Sequence, residues 1–98
     1  MIKVEKKYDY IKIYGHADFD TLGKDIVCAS VSSIIYTTVN GLLNINQKSI
    51  KFSDNDEYMK IEILSNDDIT LKLITNMIEM LKELSRKYPK NIEVINEK

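Results

Sequence analysis

The chain contains one histidine and one cysteine, His16 and Cys28, and both fall within "GHADFDTLGKDIVCAS", residues 15–30. A thiol attacks well as its thiolate, and an imidazole within reach can take the thiol proton, pair with the anion and later protonate a leaving amine. The chemistry such a pair supports is acyl transfer through a covalent thioester. Each residue also has a plainer use: a free cysteine packs as a small apolar side chain, and a lone histidine often only hydrogen-bonds at a loop end. One Cys and one His make half of a zinc set, with no CxxC or HxxxH spacing beside them. No metal site is expected, and the thiol chemistry needs no cofactor.

The surrounding elements decide whether the two residues can meet. "MIKVEKKYDYIKIYGHA" alternates apolar and polar residues twice around "KKYD", which predicts a β-hairpin with Ile2, Val4, Ile11 and Ile13 on its buried face. Gly15 and His16 then end the second strand. Residues 17–24 have mixed polarity and a glycine, and read as a loop. The next run, about 20 residues long, is too long for a strand despite its β-branched content, so a helix is expected. Its core stripe is Val27, Val31, Ile34, Ile35, Val39 and Leu42.

Asp25, Cys28 and Ser32, spaced by three and four, share one edge of that stripe. With Asp25 as N-cap, Cys28 occupies the first turn, where unpaired backbone N–H groups and the helix dipole favour a thiolate. The same amides are candidate donors to a developing oxyanion. Asp25 has a second reading, orienting or charge-balancing His16. Ser32 is a candidate substrate contact or a solvated helix-edge serine.

Further on, Ile50 and Phe52, then Met59, Ile61 and Ile63, form a second hairpin joined by "SDNDE". The acidic residues from Asp54 to Asp68 read as a solvated hairpin and helix cap. A second amphipathic helix carries Leu73, Ile74, Met77, Met80, Leu81 and Leu84 on one stripe and stops before Pro89. "NIEVIN" closes the chain as a strand. The predicted architecture is α+β, in the order β-β-α-β-β-α-β. It is a largely antiparallel sheet with two helices packed on one face, forming a single domain over residues 1–98.

Composition narrows the function classes. Apolar residues are 44% and charged residues 30% of the chain, the balance of a globular protein. Fourteen basic and fifteen acidic residues give a formal net charge of −1, so no global field favours direct contact with nucleic acid. A single cysteine makes no intramolecular disulfide and suits the reducing cytoplasm. No signal-peptide h-region and no uninterrupted run of 18 apolar residues stands out, so no membrane association is expected.

The motif itself resembles the signature of the ribosomal-processing cysteine protease family. The matching positions are Gly15, His16 and Ala17, a loop with Gly23, and then Asp25, Ile26, Val27, Cys28, Ala29, Val31 and Ser32, with the same twelve-residue step from His16 to Cys28. Ser30 stands where the family more often has a smaller residue, and "DFDTL" lacks the glycine that many members carry. The resemblance implies a cysteine endopeptidase that removes a short N-terminal extension from large-subunit ribosomal protein twenty-seven. It implies His16 and Cys28 as catalytic dyad, with Gly15, Asp25 and Ser32 at or supporting the site. A homodimer and a mobile His-to-Cys loop, acting as a lid, are also implied. Two other readings keep the same fold: a non-catalytic ribosome-assembly binding module, and a thiol acyl hydrolase acting on a non-peptide substrate.

Overall fold

A computed structural model describes residues 1–15, 22–55 and 57–96. Its elements are β1 (Ile2–Lys6), β2 (Tyr10–Tyr14), α1 (Leu22–Ile45), β3 (Ile50–Asp54), β4 (Tyr58–Ile63), α2 (Asp68–Lys87) and β5 (Ile92–Asn96). This is the order that the alternation and run lengths predict. The five strands form one sheet in the order β3-β4-β2-β1-β5. Three of its ladders are antiparallel, while β5 runs parallel to β1 at the edge, making the sheet mixed.

Register explains how one face becomes apolar. Val4 pairs with Ile13, Ile11 with Ile61, and Ile2 with Ile92, so the inward positions of neighbouring strands coincide. Both helices cover that face, and their buried residues join those of the strands in one core. From α1 come Val27, Val31, Ile35, Val39 and Leu42, as the helical period predicts. The opposite sheet face carries Lys12 over the rings of Tyr14 and Tyr58 and Lys60 over Tyr10, cation–π contacts of 4.8–5.4 Å.

Two sequence expectations need correction. In α2 the buried residues are Thr70, Ile74, Met77, Ile78 and Leu81, whereas Met80 is 44% exposed and points away from the core. Ile78, one turn beyond Ile74, shares its side of the helix and is buried in place of Met80. The second correction concerns α1, which begins at Leu22. Residues 22–24 were expected in the loop, but their backbone is helical, Gly23 included.

α1 also bears on the membrane question. Its stretch Ile26–Ile45 is long and apolar enough, by length and composition, to cross a membrane. In this fold Val27, Val31, Ile35, Val39 and Leu42 of that stretch are buried in the core, which accounts for part of its apolar character, while Ile26 and Ile45 are exposed.

Both helices are closed at defined points. Ser49, fully buried just after α1, donates its hydroxyl to the Leu42 carbonyl at 3.3 Å, and its own carbonyl accepts from the amides of Leu64 and Ser65. α2 starts at the N-cap Asp67, which accepts from the Thr70 amide at 2.8 Å.

Candidate active site

At the end of β2 the chain turns at Gly15, whose φ is +86°. An added Cβ there would lie 2.3 Å from the Met1 carbonyl oxygen, so the close approach of these two backbone segments excludes any side chain. The glycine is explained by conformation and contact, and it stands immediately before His16 in the chain. His16 and residues 17–21, most of the expected lid, lie outside the described residues.

Gly15 lies on the wall of an open cleft of about 160 Å³. Across from it α1 contributes Cys28, Val31 and Ser32, and the tip of the β3–β4 hairpin contributes Asp54, Asn55, Glu57 and Tyr58. Ile13 and Met59, paired across β2 and β4, supply apolar surface. The volume is below the ~300–1,000 Å³ typical of sites that enclose a drug-sized ligand. An open cleft of this size suits individual side chains of an extended peptide laid across it.

Cys28 is a free thiol, half-buried, packed on one side against the core and reaching the cleft on the other. The structure therefore brings Gly15, Cys28 and Ser32 together. Asp25 is placed differently from the sequence expectation. Because α1 begins at Leu22, Asp25 lies inside the helix and is not its N-cap. Cys28 is accordingly in the second turn, beyond the reach of the first-turn amides, and the dipole effect falls off over the same distance. Neither the thiolate nor an oxyanion can be assigned to the helix start.

The hairpin tip is the part of the cleft that motif reading overlooked, having assigned its acids to a solvated turn. Asn55 shapes it: its side-chain oxygen accepts from the amides of Glu57 and Tyr58 at 2.8 and 3.0 Å, and its own amide donates to the Tyr58 carbonyl. From α1, the Tyr36 hydroxyl donates to Asp54 Oδ2, and the Tyr36 ring meets Phe52 edge-on at 5.4 Å. The hydrogen bond to Asp54 is the main reason that the Tyr36 phenol is held above its usual pKa, so Tyr36 remains a neutral donor. On the other wall Tyr14 donates to Glu5 at 3.3 Å. Loss of solvation, followed by the Glu5 charge, raises the Tyr14 pKa as well. Among the described residues no group of His, Cys, Asp and Glu is arranged to hold a metal ion.

Comparison with known proteins decides the family. The model of the family described as cysteine protease Prp matches residues 1–93. The chain belongs to that family. It is a cysteine protease of the Prp type. The ribosomal processing cysteine protease Prp of Mycoplasma genitalium is 33% identical over 102 aligned positions, covering 99% of this chain and 96% of that protein. Its counterpart in Staphylococcus aureus is 28% identical over 93 positions, covering 92% and 88%. The crystal structure of the essential Prp from S. aureus with a covalently linked product peptide superposes with a TM-score of 0.82 at 23% identity. The match covers 99% of this chain and 97% of that one. A second S. aureus Prp structure, with a substrate peptide, superposes equally well at 22% identity and the same coverage. At these identities the two superpositions establish a shared Prp fold across nearly the whole chain.

Proposed function

We propose that this Prp-family protease removes the N-terminal extension of large-subunit ribosomal protein twenty-seven, with Cys28 as nucleophile and His16 as base and acid. The observation that carries the proposal is a half-buried free thiol on an open cleft, in a chain of a cysteine protease family. His16 takes the Cys28 proton, and the thiolate adds to the scissile carbonyl. Collapse of the tetrahedral intermediate breaks the C–N bond, with His16 protonating the departing amine, and leaves a thioester on Cys28. Water, deprotonated by His16, then releases the acid and restores the thiol. Gly15 fixes the direction in which the chain leaves β2 before His16, and Ser32, one turn beyond Cys28, contacts the peptide. Asp25, inside α1, supports the helix around Cys28. The substrate assignment is supported by the names of the relatives, which are called ribosomal processing proteases. In this reading the enzyme acts in the cytoplasm as a homodimer.

The test is incubation with a ribosomal-protein precursor carrying its extension, followed by mass spectrometry of the products. Wild type is expected to release the extension. Cys28→Ala and His16→Ala should each lower kcat/KM by at least about 10³-fold, in keeping with loss of a triad-type residue. Undiminished cleavage by Cys28→Ala would remove the nucleophile assignment, and no cleavage by wild type would remove the substrate. Light scattering of the same sample is expected at twice the chain mass of 11.4 kDa; a monomer mass would contradict the homodimer.

A further inference from the structure

The side of α1 that carries the thiol extends beyond the cleft. Cys28, Ser32 and Tyr36 are spaced by four, so they climb one side of the helix. Cys28 and Ser32 line the cleft, and Tyr36, above them, reaches the hairpin that forms the facing wall. Its hydroxyl donates to Asp54, the last residue of β3, and its ring packs edge-on against Phe52 two residues earlier. Beyond Asp54 the tip keeps its own shape through the Asn55 hydrogen bonds to Glu57 and Tyr58. The contact between Tyr36 and Asp54 thus ties the helix that carries Cys28 to the hairpin that lines the facing wall of the cleft.

We propose that Tyr36 is a positioning residue for peptide binding, latching the β3–β4 hairpin to the nucleophile helix through Asp54. The proposal rests on the reading of this cleft as the proteolytic site. The latch touches neither the thiol nor the scissile bond. It acts on how well the cleft grips an extended peptide, so its loss should appear in KM and leave kcat in place. Tyr36 is 37% exposed and Asp54 is also exposed, so removing the hydroxyl leaves the core intact.

The experiment measures kcat and KM on the precursor peptide for four variants, with thermal melting alongside. Tyr36→Phe, which keeps the ring against Phe52, is expected to raise KM about three- to tenfold, the range that one hydrogen bond supports. Its kcat should stay within about twofold and its melting temperature should be unchanged. Asp54→Ala should reproduce that rise. Asp54→Asn, which retains an oxygen acceptor for the Tyr36 hydroxyl, should restore KM toward wild type. The double variant Tyr36→Phe with Asp54→Ala should be no worse than either single change, because both remove one contact. A wild-type KM for Tyr36→Phe, or KM increases that multiply in the double variant, overturns the latch. Cys28→Ala, assayed in parallel, separates the two levels of the argument. If it is inactive while Tyr36→Phe is wild type, only the latch fails; if it still cleaves the peptide, the site reading fails and the latch with it.

Discussion

The two helices lie on the same sheet face, yet their sequences are organised differently. On α2, Ile74, Met77, Ile78 and Leu81 face the core, while Lys72, Glu79, Glu83 and Arg86 do not, and the apolar Ile69, Leu71 and Met80 are exposed beside them. Asp67 and Asp68 stand at its N-terminus, and Arg86 and Lys87 in its last turn, each matching the helix dipole. α1 has no basic residue in its last turn, and like α2 it exposes apolar side chains, Ile26 and Ile45, beside its buried stripe. It also has a third side, where Cys28 and Ser32 line the cleft and Tyr36 holds the hairpin. A helix that only supports a sheet needs a core side and an outer side, and among the described residues α2 contributes none to this cleft. A helix that supports the sheet and also walls a cleft must place semi-buried, modestly polar side chains between its core and outer sides, which blurs its pattern.

Substitution on the two sides should separate stability from catalysis. The largest stability effect is expected from Leu81→Ala on α2, since Leu81 is fully buried and its truncation leaves a cavity. Such changes cost about 2–5 kcal/mol, to be read from urea unfolding, while kcat/KM of the folded fraction stays at the wild-type value. A drop in kcat/KM in a fully folded sample would mean that α2 takes part in the site, ending the contrast between the helices. Gly15→Ala, on the cleft side, should combine both losses. The positive φ alone costs on the order of 1–3 kcal/mol for a residue with a Cβ, and the approach to the Met1 carbonyl requires the backbone to move at the cleft wall. Melting temperature and kcat/KM should therefore fall together. A variant that loses stability with unchanged kcat/KM would show that the wall tolerates the shift.

Much of this was legible in the chain. Strand alternation and the lengths of the helical runs carried the element order, because side chains repeat every two residues in a strand and about every 3.6 in a helix. The spacing of Cys28 and Ser32 placed them on one edge of α1 for the same reason. The start of α1 was not legible: Leu22, Gly23 and Lys24 have mixed polarity, and a glycine reads as a breaker unless tertiary context holds the turn. That three-residue difference moved Asp25 from cap to interior and Cys28 out of the first turn. The tie between Tyr36 and Asp54 was hidden for another reason. Helical periodicity tells which residues share a side, and it does not tell which distant hairpin that side will meet.

The smallest effect is expected at the cap of α2, where the structural helix can be tested without touching the cleft. Asp67 Oδ1 accepts from the Thr70 amide at 2.8 Å, and Oδ2 accepts from the Thr70 hydroxyl at 3.1 Å and from the Ser65 hydroxyl. The Ser65 hydrogen bond, and then the Thr70 amide, hold the carboxyl below its usual pKa. A carboxyl whose pKa is lowered by folding stabilises the protein above its unfolded value, about 4, and that contribution disappears as the pH falls through the folded value. Asp67→Ala should thus lower the melting temperature by a few degrees near neutral pH, with kcat/KM unchanged. The gap between variant and wild type should narrow once the pH is well below about 4. If the gap were the same in acid, the carboxylate charge would not be the source of the capping. If kcat/KM fell with the cap intact elsewhere, the two helices would be coupled more tightly than their separate faces indicate.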